Sequence, residues 1–340
     1  MPGIVFPAEW HPQSGVQITW PHRGSDWADI LEEVTQCYLS FSKEILSREK
    51  LLIVAPENED VTKYFSKEEQ QNLISVPLPS NDTWARDHGA ISLIIDKRPV
   101  VVDFGFNAWG LKFAANFDNL ITGTLFKEGL FQSGVAYQNR LNFILEGGAI
   151  ESDGQGTILT TSRCLLAPNR NQPLDQQEIE AALKKMLGAT RVLWLNHGYL
   201  AGDDTDNHID TLARFCDERT IAYVQCDDAG DEHYGELKEM EEELKTFVTS
   251  EGEPYHLIAL PMADAVYEND CRLPATYANF LIINGAVLVP FYGSEKDEIA
   301  RQQLQNAFPD RVITGIDCRA LIKQHGSLHC VTMQFPEGML

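Results

Sequence analysis

The run Gly326-Ser327-Leu328-His329-Cys330 places a thiol behind small residues that let the backbone approach closely. Candidate partners stand far upstream in Trp84-Ala85-Arg86-Asp87, Glu146-Gly147-Gly148 and His208-Ile209-Asp210. A thiol can attack an electrophilic carbon, an imidazole can carry a proton, and carboxylates can hold a cation in attack geometry. Each motif also has a plainer explanation. A cysteine is ordinarily a small core hydrophobe, and Trp84 with Arg86 and Asp87 could be a loop tryptophan beside a structural ion pair. Glu146 before two glycines could be a turn. Side-chain alternation predicts that His208 and Asp210 share one face of a strand. The same two residues, with Asp203, Asp204 and Asp206 just upstream, could instead ligate a metal.

The elements around these motifs follow a repeated beat. Helical stretches over 25–47, 61–73, 176–187, 234–247 and 295–307 precede apolar strands at 51–54, 75–78, 191–195, 256–260 and 311–313. Asp175, with Glu178 three residues on, marks one helix start as a capping box. Between them run paired strands: 90–95 with 100–104, 148–151 with 156–160, 208–215 with 220–224, and 278–283 turning at Asn284-Gly285 into 286–289. A last strand at 328–335 can pair with 15–20 and close a ring. With no composition break, the expectation is one domain over residues 1–340, a closed pseudo-fivefold α/β unit. Asp87, Glu146, His208 and Cys330 all fall at or just before the first strand of a pair, so equivalent points of successive repeats could meet at one centre.

Composition limits what that centre can serve. Lys and Arg total 27 against 50 Asp and Glu, a net charge of −23, with no basic cluster to neutralise phosphates, which excludes nucleic acid as a partner. The charge would draw a small cation toward a cleft. Apolar residues make up 44% and no stretch reaches membrane-spanning length, so no membrane partner is expected. The first ten residues lack a signal-peptide pattern, giving a cytoplasmic expectation. Seven cysteines without a CxxC pair argue against a disulfide framework or a zinc-thiolate site.

Taken together and in this order, the four motifs resemble the agmatine deiminase family of guanidine-modifying enzymes, which includes bacterial peptidylarginine deiminase. The likeness runs from Trp10 to Gln334 and includes Cys164 through Asn171, Thr276 through Phe280, and Gly285 through Val287. It implies a five-bladed αβ propeller of the pentein kind, built of repeated ββαβ units. It also implies roles: Cys330 as nucleophile, His208 as general acid/base, Glu146 as its carboxylate partner, Asp87 and Asp210 as the carboxylates on the guanidinium, and Trp84 as a pocket aromatic, with Asp204 near the substrate's far end. The implied reaction is agmatine plus water to N-carbamoylputrescine and ammonia, through a covalent thiouronium, a step in putrescine supply. It needs no metal or organic cofactor. A homodimer is common for a cytosolic enzyme of this size.

Four positions leave the family pattern: His325 and Asn207 where glycine is frequent, Ala90 where proline is, and Glu151 where histidine is. None removes a catalytic role, but they leave the substrate open. Free or peptidyl arginine would call for a basic residue at the far end, for which Arg170, Arg214 and Arg272 are candidates. A metal-dependent amidohydrolase and a catalytically silent guanidine-binding protein remain as readings of other classes.

Overall fold

Residues 3–340 are described by the computed structural model of the chain. The protein is a mixed α/β fold in which one unit recurs: two antiparallel strands, a helix, and a third strand parallel to the second. Ile91–Ile95 and Arg98–Gly105 are followed by helix Asp118–Lys127 and strand Ala136–Ile144. Ile150–Ser152 and Thr157–Thr161 are followed by Gln176–Leu187 and Arg191–Leu195. Ala213–Asp217 and Thr220–Gln225 are followed by Tyr234–Leu244 and His256–Pro261. Leu281–Ile283 and Ala286–Phe291 are followed by Lys296–Ala307 and Val312–Asp317. The remaining unit joins the two ends of the chain. Thr332–Pro336 pairs antiparallel with Gln13–Thr19, whose other edge is parallel to Lys50–Ala55 across helix Leu31–Leu46.

The helices form for legible reasons. Leu31–Leu46 buries Val34, Cys37, Tyr38, Phe41, Ile45 and Leu46, spaced three or four apart on one face. Gln176–Leu187 starts at the expected capping box of Asp175 and Glu178 and stops at Gly188 in a left-handed conformation. Lys50–Ala55 is buried over almost its whole length, as befits a strand flanked by parallel neighbours and covered by a helix.

Three expectations need correction. Residues 61–73 form no helix, only the short 3-10 turns Val61–Tyr64 and Glu69–Gln71. The helix and third strand of the unit that begins at Ile91 went unforeseen. Asp118–Lys127 carries a glycine and two threonines among its apolar residues, and Ala136–Ile144 is a largely polar outer strand, so neither shows a strong period. His208 and Asp210 do not stand on a strand. Ile209–Thr211 is a 3-10 turn and the strand begins at Ala213, so it is the turn, not alternation, that aims both side chains.

Candidate active site

The segment that carries Cys330 is fixed before its thiol is considered. The 3-10 turn Leu321–Gln324 ends at His325 in the left-handed region, and Gly326 lies so close against the Trp84 ring that a side chain there would collide. Asn279 Oδ1 then accepts from the His329 and Cys330 backbone N–H groups at 2.9 and 3.3 Å, and from the Cys330 thiol at 3.4 Å. Arg86 N–H donates to the Cys330 carbonyl at 3.1 Å, tying this segment to the turn Ala85–His88 that carries Asp87. Cys330 Sγ sits 3.9 Å from Asp210 Oδ2.

Asp87 is held from two sides. Its Oδ1 accepts from Gly148 N–H at 3.0 Å and its Oδ2 from Trp109 Nε1 at 2.9 Å. Gly148 is required by space: a Cβ there would lie 2.6 Å from His208 Nδ1, 2.9 Å from Asp87 Oδ1 and 3.1 Å from Asp210 Oδ2. Three groups predicted to work together therefore crowd one glycine. Trp109 reaches Asp87 from a backbone in which Ala108, Trp109 and Leu111 all have positive φ, a costly conformation for side-chain-bearing residues and one that tends to collect at functional sites.

His208 Nδ1 lies 3.6 Å from Asp87 Oδ1. A ring nitrogen of His208, the Cys164 sulfur and a Glu146 oxygen lie within 4.8 Å of one another. Glu146 Oε1 accepts from Arg170 Nε at 2.8 Å, while Arg170 Nη1 and Nη2 bond Asp206 Oδ2 and the Thr205 carbonyl at 2.6 and 2.9 Å. Arg170 thus fastens Glu146 to the segment that leads into His208.

Burial and charge set the protonation states. Burial first, then Asp210 and Asp87, push the Cys330 thiol well above its usual range. Burial alone would lower His208, but Asp87, Cys164 and Glu146 outweigh it and hold the imidazole well above its ordinary value. Asp87 is pushed up to about 6, mainly by burial, with Asp210 and Glu146 adding to it and His208 opposing. Burial would also raise Asp210, yet contact with His329 keeps it below the ordinary carboxylate value.

Comparison with known proteins decides the family. Residues 5–336 match the model of the Porphyromonas-type peptidyl-arginine deiminases. The chain belongs to this family. It is 57% identical to a solved structure described as "Putative Arginine Deiminase from Porphyromonas gingivalis", with a TM-score of 0.96 and 99% of each chain covered. It is 41% identical to a cysteine-to-serine variant of C. jejuni agmatine deiminase with substrate bound, with a TM-score of 0.92 over 99% of this chain and 97% of that one. A curated relative from Legionella pneumophila, named "Putative agmatine deiminase", is 36% identical over 99% of this chain and 96% of its own length. The chain is accordingly a guanidine-modifying enzyme, a hydrolase of C–N bonds.

For a member of this deiminase family the predicted residues divide clearly. Trp84, Asp87, Asp204 and Cys330 line one cavity of about 240 Å³, together with Trp109, Asp26, Asp82 and His325. Asp210 does not line the cavity but lies 3.9 Å from the Cys330 sulfur, and Glu146 and His208 are likewise fully buried. None of the proposed far-end arginines lines the cavity: Arg170 holds Glu146, Arg214 pairs with Glu9 and Glu151, and Arg272 pairs with Asp231 and Glu232. The acidic run does not gather around His208 and Asp210 as a metal site. Asp203 accepts from Thr205 and Asn207, and Asp206 binds Arg170 and Lys112. Among the described residues the groups that could hold a metal are Glu146, Cys164 and His208; Glu9, Glu151 and His329, whose two carboxylates Arg214 already engages; and the more exposed His197, Glu236 and Glu239. Sequence reasoning missed Trp109, Asn279 and Glu9. Asn279 lay inside a stretch already singled out, and Trp109 stood next to Gly110, a hint of unusual backbone. Glu9 offered no signal.

Proposed function

We propose that the protein hydrolyses the guanidine group of agmatine to N-carbamoylputrescine and ammonia, with Cys330 as nucleophile in a single five-bladed αβ propeller whose blades are the five repeated units. The observation that carries the substrate is the cavity lining. It holds Asp26, Asp82, Asp87 and Asp204 and no arginine or lysine among the described residues, which suits a dication better than a substrate that carries a carboxylate. Burial, with Asp118 and Asp26 adding to it, pushes Asp82 up to about 7, and burial with Asp203 raises Asp204, so both gain from a nearby ammonium.

A guanidinium carbon is a weak electrophile, and the empty site holds Cys330 as a thiol. A guanidinium between Asp87 and Asp210 offsets the two charges that oppose the thiolate, so substrate binding favours the nucleophilic form. The thiolate attacks the guanidinium carbon, and the His208 imidazolium protonates the departing nitrogen, releasing ammonia and leaving an S-alkylthiouronium. Neutral His208, steadied by Glu146, then takes a proton from water as the water oxygen adds to that carbon. Collapse expels the Cys330 thiolate, the hydroxyl proton leaves to solvent, where the released ammonia takes it up, and the ureido product remains. A relative captured with substrate in a cysteine-to-serine variant supports a cysteine in this role.

The test compares wild type and Cys330→Ala on agmatine, free arginine and a blocked arginine amide, with EDTA present. Agmatine turnover in the wild type and its loss in the variant is the expected result. Turnover of arginine or the amide alone overturns the substrate assignment. Activity that survives in Cys330→Ala overturns the thiol mechanism.

A further inference from the structure

Beneath the cavity lies a cluster of buried charges that the mechanism above does not use. Glu9 is at its centre. Its Oε1 accepts from Ile282 N–H at 2.7 Å; its Oε2 accepts from Arg214 Nη2 at 2.8 Å, faces His329 Nε2 at 2.7 Å and lies 3.8 Å from Arg86 Nη2. The other nitrogen of His329, Nδ1, lies 2.7 Å from Asp210 Oδ2. Arg214 completes its own bonding with Glu151 and the Phe280 carbonyl. Both His329 contacts are donor to acceptor only when both ring nitrogens carry hydrogen, because a neutral imidazole has one N–H. His329 therefore bridges two carboxylates, one from the N-terminal segment and one beside the nucleophile. Asp210 Oδ1 has no protein partner although the residue is fully buried.

We propose that His329 is a positioning residue: anchored by Glu9, it grips Asp210 Oδ2 and so presents the free Oδ1 to the guanidinium of the substrate. The inference rests on the deiminase reading above and adds to it the source of Asp210's orientation and charge. The other charged or titratable groups that act on Asp210 are His208, Asp87, Cys330, Arg214, Arg86 and Glu151. Oδ2 also lies 3.9 Å from the Cys330 thiol, but His329 at 2.7 Å is its shorter and charge-bearing contact, so it decides how that carboxylate is turned.

Two variants separate positioning from mere packing. In His329→Asn the amide nitrogen stands near the place of Nδ1 and keeps a donor on Asp210 while giving up Glu9. In His329→Gln the amide reaches toward Glu9 and gives up Asp210. Steady-state kinetics on agmatine across pH, with thermal melts to confirm folding, are expected to show KM raised about tenfold or more in His329→Gln, the scale of losing one hydrogen bond to a charged group. The loss in kcat is expected to be smaller. The acid limb of kcat/KM should move to higher pH, because Asp210 without its donor holds a proton more tightly. His329→Asn should show a smaller change in both readouts. Glu9→Gln, which keeps the shape of the anchor and removes its charge, supplies the same measurement if His329→Gln does not fold, with a shift of the limb expected in either direction and an unmoved limb counting against the proposal. Equal losses in the two histidine variants, or an acid limb that stays where it is in the wild type, overturn the inference and leave the deiminase reading intact. A wild type inactive on agmatine, arginine and the arginine amide overturns both.

Discussion

The cavity side and the underside of this centre are built from the same kinds of residue and finished differently. Underneath, both carboxylate oxygens of Glu9, both nitrogens of His329 and all three guanidinium nitrogens of Arg214 have partners. Above, Asp210 Oδ1, Glu146 Oε2 and both nitrogens of His208 have none within hydrogen-bond reach, although all are buried. Leaving buried polar atoms unpaired is costly, and most folded chains avoid it. Single unpaired atoms occur elsewhere, Gln17, Ser42 and Arg86 Nη2 on the underside among them, but Asp210, Glu146 and His208 bring four of them into one centre. The contrast teaches that burial alone does not mark a functional group. What marks it is several charged groups buried together with their bonding left incomplete, so that something from outside can complete it.

Asp210 belongs to both sides, and the sharpest way to break the contrast is to neutralise it. Asp210→Asn should lower kcat/KM on agmatine by about a thousandfold, since it removes a buried charge from the substrate cation and strands His329. It should lower the melting temperature as well. Glu9→Ala tests the paired side by itself. Removing one member of a buried ionic network typically costs about 3–5 kcal/mol, because the partners stay buried without compensation. Urea denaturation should show a loss of that size, and a loss below about 1 kcal/mol would mean that the paired side is no scaffold.

The unpaired side should behave in the opposite sense. Asp87 titrates near 3.8 when unfolded and about 6 when folded, so the folded state binds its proton more tightly. Its contribution to stability is therefore greatest below about pH 4 and falls as pH rises through 6, by roughly 3 kcal/mol over the whole range. Asp87→Asn should flatten that part of the stability–pH curve and leave the protein at pH 8 as stable as the wild type or more so, while agmatine turnover collapses. Urea melts at pH 4 and pH 8 on both proteins decide it, and a variant that is less stable at pH 8 would show that Asp87 is structural.

Much of this arrangement was legible in the sequence, and the part that was not has a common cause. The capping box at Asp175, the strand pairs and the pairing of the chain ends follow from local chemistry and period, and the motifs around Cys330, Asp87, Glu146 and His208 carry their types on their face. The helix Asp118–Lys127 stayed hidden because its apolar period is weak, and the turn at Ile209–Thr211 because its residues read as a strand. Glu9 was invisible for a deeper reason. Its partners lie 205 and 320 residues away in sequence, so nothing near position 9 reports on them. Pairing across the whole chain is what a sequence read one stretch at a time cannot show.

The smallest expected effect isolates burial from geometry. Arg219 Nη2 lies 2.6 Å from Glu251 Oε2, slightly closer than His329 lies to either of its carboxylates, yet these side chains are 69% and 62% exposed. Water already solvates both charges and salt screens them, so closeness gains little over the separated ions. Arg219→Ala should change the unfolding free energy by less than about 1 kcal/mol, and added salt should erase the difference. Urea denaturation of this variant beside Glu9→Ala puts two ion pairs of similar length on one scale. If they cost the same, contact distance and not completed burial governs these pairs, and the distinction between the two sides of Asp210 loses its physical basis.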